Sequence, residues 1–318
     1  MFGLFSFNKT PHGEALLKGV TDIHCHLLPG VDDGMDVLMN SFALLAKEQM
    51  AGVKRIYFTP HSMSVDGSVV DAKSYGAHYH SHSGNHASGV HKGYTHAATP
   101  LEKDFSTRFE GILPSDYEVS RQQEEYTAFE SGIGAEFSQE RLGGYSNAHL
   151  KAKFEIFRKF YKGDIDIRLA AEYMMNKGLL EKVKNHDMLT YSDGRHILVE
   201  TSYFAPPIDM DTILYEIEVE GYSPILAHPE RYEYMGPEDY TRLHQRGIEF
   251  QLNYLSLTGY YGKRVYAKAI DLLEKGWYTY TGSDFHRLTT FYHQIGKLLP
   301  KKKHAALLQG LFENNSSL

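Results

Sequence analysis

Residues 21–61 read TDIHCHLLPGVDDGMDVLMNSFALLAKEQMAGVKRIYFTPH, and three stretches within them set the rhythm of the chain. TDIHCHLL is strand-like, SFALLAKEQMAGV has helical spacing, and KRIYFTPH is again a strand. The alternation resumes after Lys151, with KAKFEIFRKFY as helix, IDIRLAAEYM and HILVETSYF as strands, MDTILYEIEVEGY as helix and SPILAHP as strand. IEFQLN, a helix around VYAKAIDLLEKG, the strand WYTYTGSD and a C-terminal helix from about Thr290 complete it. Seven strands, most of them separated by helices, predict a parallel α/β fold, for which closure into a seven-stranded (β/α) barrel is the economical arrangement. Folds of this kind place their chemistry in the loops at the C-terminal ends of the strands.

The 318 residues are 42% apolar and 13% aromatic, enough to bury the core of one or two domains, which excludes a chain disordered throughout. Cys25 is the single cysteine, so neither an internal disulfide nor a thiolate metal cluster is open to the chain, and a cytoplasmic, reducing compartment is expected. The apolar start MFGLFSF lacks a basic front and breaks after seven residues, too short for a signal peptide or a membrane span. With 33 Lys plus Arg against 40 Asp plus Glu, the net charge of -7 speaks against nucleic acid as a partner.

Residues 64–149 interrupt the rhythm. They hold 14 Val, Ile, Leu and Phe among 86 residues, together with 12 acidic and 6 basic side chains, too little apolar surface to sustain a core. Six of the chain's 18 histidines, His78, His80, His82, His86, His91 and His96, crowd one Ser/Gly/Tyr-rich stretch. The composition therefore divides the chain into a framework of residues 1–63 and 150–318 and a polar, His-rich insertion of residues 64–149. The insertion is expected to be largely mobile, with order confined to a helix candidate near 115–130 and the junctions.

Chemistry concentrates where strands end. His24 and His26 are two apart on one strand, so their imidazoles project to one face. Alone, such a pair is weak evidence of a metal. The strands and the loop after the first also end in Asp32-Asp33, His61, Glu172, Glu200, His228 and Asp284 with His286. Carboxylates and imidazoles at the tops of apolar strands are costly to desolvate unless paired or metal-bound. Their joint placement favours a polynuclear metal site. Cys25, between the two histidines, points to the opposite face and is expected to pack rather than react. GYYG at 259–262 reads as a turn, and Lys301 to Lys303 as a solvated helix face.

In order and kind, HCHLLPGVDDG, TPH, AEYM, AHPER and SDFH resemble the motifs of the polymerase-and-histidinol-phosphatase (PHP) superfamily. Within it the chain is most similar to the manganese-dependent protein-tyrosine phosphatases of bacterial capsular and exopolysaccharide biosynthesis. Asp33 and Glu200, where other branches more often carry histidine, favour that branch. The resemblance implies a distorted seven-stranded (β/α) barrel with three divalent metals. His24, His26, Glu172 and Asp284 would hold the first metal. Glu172 would bridge to a second, held by Glu200 and His228, while Asp33, His61 and His286 would hold the third. Arg231 in HPER matches the family's phosphate-binding arginine, and Arg287 is the one candidate for a second.

Nine nitrogen and oxygen donors suit Mn²⁺, iron or Zn²⁺ better than copper or calcium. Metals sharing Glu172 would hold a bridging hydroxide for attack on phosphorus, and Arg231 would offer a planar fork to two phosphate oxygens. An ordinary ion pair of Arg231 with Glu230 or Glu233 is the competing expectation. The leading function is hydrolysis of phosphotyrosine on a protein, which the resemblance implies is the tail of a tyrosine autokinase controlling polysaccharide export. A small-molecule phosphatase or phosphodiesterase of the same superfamily is the alternative. A metal-buffering or partner-binding module built on the His-rich insertion is the reading from another class.

Overall fold

The computed structural model describes residues 12–62, 120–127 and 145–318. Its strands are β1 Thr21–Cys25, β2 Arg55–Phe58, β3 His61–Ser62, β4 Asp166–Leu169, β5 Glu172–Met174, β6 His196–Glu200, β7 Ser223–Ala227, β8 Glu249–Asn253 and β9 Tyr278–Gly282. Every pairing between them is parallel, as the alternation with helices requires.

The strands do not close into one seven-stranded barrel. They form a three-stranded sheet in the order β1-β2-β4 and a six-stranded sheet in the order β3-β5-β6-β7-β8-β9. Two of the seven expected strands are each cut in two, at Thr59-Pro60 between β2 and β3 and at Ala170-Ala171 between β4 and β5. Pro60 has no N–H to give a ladder, so an interruption there follows from its chemistry. Between the first and last strands the pairing shrinks to one bridge, Cys25 with Phe285, flanked by Asp284 N–H to His24 O at 2.7 Å and His26 N–H to Phe285 O at 2.9 Å.

The helices are α1 His12–Ala15, α2 Leu38–Ala51, α3 over residues 120–127, α4 Asn147–Phe160, α5 Lys177–Lys184, α6 Met210–Val219, α7 Pro237–Arg246, α8 Lys263–Glu274, α9 Leu288–Gln294 and α10 Lys302–Asn315. The apolar spacing does not single out α5 and α7. The first is only eight residues long, and the second buries just Tyr240 and Leu243. The expected single C-terminal helix is two, α9 and α10, separated at Pro300, which disfavours helical backbone in the residue before it. None of the helices among the described residues is long and apolar enough to cross a membrane.

Alternate strand residues divide between two cores. Val199 and Leu226 join Leu44, Leu45, Leu214 and Ile217 in the large cluster shared with the helices, while Leu198 and Ile225 join Ile23, Tyr57 and Tyr191 in a small one. Cys25 is fully buried with its thiol donating to Tyr57 O at 3.3 Å, the packing role its position suggests.

Helix α3 falls inside the 115–130 candidate and packs on the framework. Tyr126 is buried in the large core and donates its hydroxyl to Pro29 O at 3.0 Å, on the loop leading to Asp33. Gln123 Oε1 accepts the Leu38 N–H at 2.8 Å, an orphan donor at the start of α2. At the other junction Asn147 is buried and accepts from Ser62 Oγ at 2.7 Å, and Ser146 caps α4. Residues 147–149, on the insertion side of the boundary that composition suggests, form the start of α4. His78, His80, His82, His86, His91 and His96, and with them the expected mobility, lie outside the described residues. Tyr126→Ala is expected to lower stability by about 3 kcal/mol in a denaturant titration, whereas exposed Glu124→Ala stays within about 0.5 kcal/mol.

Candidate metal centre

The parallel register sets the candidate ligands side by side. His61 pairs with Glu172 across β3 and β5, and Met174 with Glu200 across β5 and β6. His24 is the next-to-last residue of β1, His228 directly follows β7, and Asp284 lies two residues beyond β9. His228 and Asp284 take left-handed backbone, with φ of 32° and 55°. Such conformations in non-glycine residues persist only where the surroundings impose them, and they gather at functional sites. Two glycines permit the close approach. A Cβ on Gly34 would stand 2.3 Å from His26 O, and one on Gly282 would stand 2.5 Å from His24 Cβ.

The nine candidate ligands converge at the C-terminal ends of the strands, eight of them, all but His228, in three overlapping donor groups. His24, His26, Glu172 and Asp284 form a fully buried group; His26, Asp33, His61 and His286 form a second; His61, Glu172 and Glu200 form a third. Glu172 is central. Its Oε2 lies 3.2 Å from His24 Nε2, 3.3 Å from His26 Nε2 and 3.4 Å from His61 Nδ1, while Oε1 lies 3.1 Å from His228 Nε2. The arrangement differs from the implied division of ligands in one respect. His61 turns Nε2 toward Asp33 at 3.5 Å but Nδ1 toward Glu200 at 3.2 Å, so it faces two groups, and His228 reaches the cluster through Glu172.

Whether a cation fits is decided by where the imidazole protons sit. Gln251 accepts the His228 N–H on Oε1 at 3.3 Å and donates from Nε2 to Leu252 O at 2.6 Å, which fixes the orientation of its amide. Its Oε1 therefore accepts a hydrogen bond from His24 Nδ1–H at 2.9 Å. Asp32 Oδ2 likewise accepts from His26 Nδ1 at 2.7 Å. Both Nε2 atoms are then lone pairs when the rings are neutral, yet they face each other at 3.2 Å and face Glu172 and Asp284 oxygens at 3.2 to 3.4 Å. Four converging acceptors with no donor among them repel one another unless a proton or a metal cation lies between. The site fits a cation of the nitrogen- and oxygen-loving kind.

Without metal, protons fill that role. Burial pushes the His26 imidazole down, but the Asp32 charge and hydrogen bonds from Asp284, Asp32 and Glu172 carry it well above the usual histidine range. His61 is raised in the same way against its own burial, by Glu200 and Asp33, and His228 rises to about 9, where burial is outweighed by Glu172. Burial raises the Glu172 and Asp284 carboxyls, yet the His24 charge holds both well below the carboxylate range. Imidazoles with raised values carry protons at pH 7 that metal must displace. Calorimetric Mn²⁺ titrations at pH 7 in buffers of different ionisation enthalpy are expected to show net proton release, and affinity should fall from pH 9 to pH 6. Equal heats in both buffers would contradict the proton-filled cluster.

Asp32 and Gln251 are therefore positioning residues that set the tautomers of His26 and His24. Asp32 also accepts the Gly34 and His61 N–H groups, at 2.9 and 3.1 Å. Gln251 is not among the residues the sequence singles out, although Glu249, Gln251 and Asn253 alternate with apolar residues in β8 and so share a face. Gln251→Leu is expected to weaken Mn²⁺ binding by about 10- to 100-fold in a metal titration. An unchanged affinity would remove Gln251 from the ligand-orienting role.

Arg231 is buried, and its partner is neither Glu230 nor Glu233. Its Nη1 donates to Asp284 Oδ2. Its guanidinium lies 4.7 Å from the Tyr203 ring centroid and 4.2 Å from that of Tyr261, held between two aromatic faces. Tyr261 comes from GYYG, so that turn also supplies a wall of the site. Asn253 Nδ2 lies 3.0 Å from Tyr261 OH and 3.1 Å from Asp284 Oδ2, joining that wall to the candidate ligand. Glu230 points away into the core, accepting from Asn253 N, Ser256 Oγ and Tyr278 OH. Arg287 stands exposed at the start of α9 with no ion pair among the described residues.

A chain with converging metal-competent strand ends on a parallel α/β framework has the make-up of a metallohydrolase. The chain belongs to the capsular polysaccharide synthesis CpsB/CapC family, whose model matches residues 20–82 and 138–317. It is 22% identical over 301 residues to the tyrosine-protein phosphatase YwqE of Bacillus subtilis, an alignment covering 93% of this chain and 90% of that one. It is 26% identical over 162 residues to the tyrosine-protein phosphatase CpsB of Streptococcus pneumoniae, covering 48% of this chain and 67% of that one. The fold is similar to a chain from the crystal structures of YwqE and CpsB described as unique metal-dependent tyrosine phosphatases, with a TM-score of 0.57, 20% identity, and 94% and 93% of the two chains covered.

Proposed function

We propose that this chain is a metal-dependent phosphatase that removes phosphate from tyrosines of a protein. In this reading the framework is the catalytic unit and the insertion an accessory one. His24, His26, Asp33, His61, Glu172, Glu200, His228, Asp284 and His286 would together hold three divalent ions, with Mn²⁺ the first candidate. The observation that carries the proposal is the set of mutually facing acceptors, His24 Nε2, His26 Nε2, Glu172 Oε2 and Asp284 Oδ1, which need a cation among them. Bound divalent ions supply Lewis acidity to phosphoryl oxygens and make water a nucleophile at neutral pH.

The protein's own groups do the rest. Arg231, fixed between Tyr203 and Tyr261, presents guanidinium N–H donors at the edge of the cluster and would engage two phosphate oxygens as a planar fork. The two rings flank the same place and suit an aryl leaving group. Membership of the CpsB/CapC family and the tyrosine-phosphatase names of YwqE and CpsB support a phosphotyrosine protein in polysaccharide synthesis, for which a tyrosine autokinase tail is the first candidate.

The test is to strip the protein with EDTA, restore Mn²⁺, and compare phosphotyrosine and phosphoserine peptides with a nucleoside monophosphate and a diester. Metal-dependent turnover confined to phosphotyrosine is expected. Equal or better turnover of the small phosphates would favour a small-molecule phosphatase.

A further inference from the structure

Beside the metal centre, among the described residues, lies a groove of about 450 Å³ between the loop after β6 and the start of α7. It shares a wall with the centre. Tyr234, which lines it, is 2.7 Å through its hydroxyl from Thr201 Oγ1, and Thr201 directly follows Glu200. The Tyr234 ring stacks on Tyr232 at 5.7 Å, and Tyr232 in turn meets His228 edge-on. The loop after β6 carries both Tyr203, which flanks Arg231, and the groove-lining Ile208 and Asp209, so the groove lies within a few residues of the phosphate-binding candidate.

The lining has two characters. Met210 and Met235 are buried beneath it, while Ile208 on its rim is fully exposed and Phe204, on the same loop, is 60% exposed. Asp209, Asp211 and Asp239 also line it, against one cation, Arg242. That guanidinium is held by Asp211, which Arg246 approaches as well, at 3.4 Å. Asp239 accepts the Gly236 N–H as a helix cap. Asp209 is exposed and forms no ion pair among the described residues. A groove with an apolar rim and an unneutralised carboxylate complements a segment bearing an apolar and a basic side chain.

We propose that this groove binds the segment flanking the phosphotyrosine of the substrate protein, and that it selects a basic residue there through Asp209, with an apolar neighbour laid on Ile208. The proposal rests on the phosphotyrosine reading above and adds what the enzyme reads beside the phosphate.

The experiment measures binding by fluorescence anisotropy, apart from turnover. Two labelled peptides carry non-hydrolysable phosphonodifluoromethyl-phenylalanine in place of phosphotyrosine, with Lys on both sides in one and Glu on both sides in the other. The Lys peptide is expected to bind about fivefold or more tightly than the Glu peptide, and Asp209→Lys to abolish or reverse the order. Ile208→Ser should weaken both peptides by about threefold. Turnover of free phosphotyrosine should be unchanged by either substitution. Glu155→Lys, on the exposed face of α4, is the control for overall charge and should leave the preference intact. Equal binding of the two peptides, a preference retained in Asp209→Lys, or the same loss in Glu155→Lys would each overturn the proposal. Failure to hydrolyse free phosphotyrosine would instead sink the functional reading, independently of the binding order.

Discussion

Glu172→Gln is expected to lower kcat/KM for a phosphotyrosine peptide by at least about a thousandfold at saturating Mn²⁺, with the fold retained. The two carboxylate oxygens of Glu172 lie 3.1 to 3.4 Å from His24, His26, His61 and His228, so one side chain touches all three donor groups or their neighbours. An amide keeps the size but gives up the charge and one acceptor. Asp33→Asn should cost less, about 10- to 100-fold. Asp33 stands at the exposed edge and meets only His61 and His286 among the candidate ligands, at 3.5 and 3.3 Å. Steady-state kinetics with a thermal unfolding control reads the difference. Equal, mild losses would contradict a central, shared role for Glu172.

Arg231→Lys should reduce kcat/KM by about 100-fold although the charge is kept. The guanidinium is positioned by the Asp284 carboxylate and by two rings stacked on its faces, and an ammonium has neither planar faces nor a fork. The loss should appear with small aryl phosphates as well as with peptides, because the contact is to the phosphate. Unchanged kinetics would leave Arg231 as a clamp on Asp284 and nothing more.

Much of the candidate centre was legible because parallel strands buried on both faces leave few places for a charge. In TDIHC, LVE and ILAH a polar residue at a strand end is conspicuous against its neighbours. The residues that orient the ligands were harder to see. Asp32 sits beside Asp33 with identical chemistry, and only the fold shows which one faces His26 Nδ1. Gln251 and Tyr261 belong to segments distant in sequence, whose relation to His24 and Arg231 is a matter of topology.

The framework was less fully legible for related reasons. Alternation predicts strands, but it does not report that Pro60 and the Ala170-Ala171 pair divide two of them, nor that β1 and β9 meet through one bridge instead of a ladder. The helix candidate near 115–130 was legible, but its anchoring to the core was not, because a single ring, Tyr126, does not register in a composition averaged over residues 64–149.

If the cluster around Glu172 is a metal centre, manganese must be found among its donors. Anomalous diffraction from crystals of the Mn²⁺-loaded protein, collected on both sides of the manganese edge, tests it most directly. Manganese peaks are expected within ligand distance of the His24, His26, Glu172 and Asp284 donors and in the adjoining groups that contain Glu200 and Asp33. Manganese found only elsewhere in the protein, or no peak among these donors with the metal saturating, would contradict it.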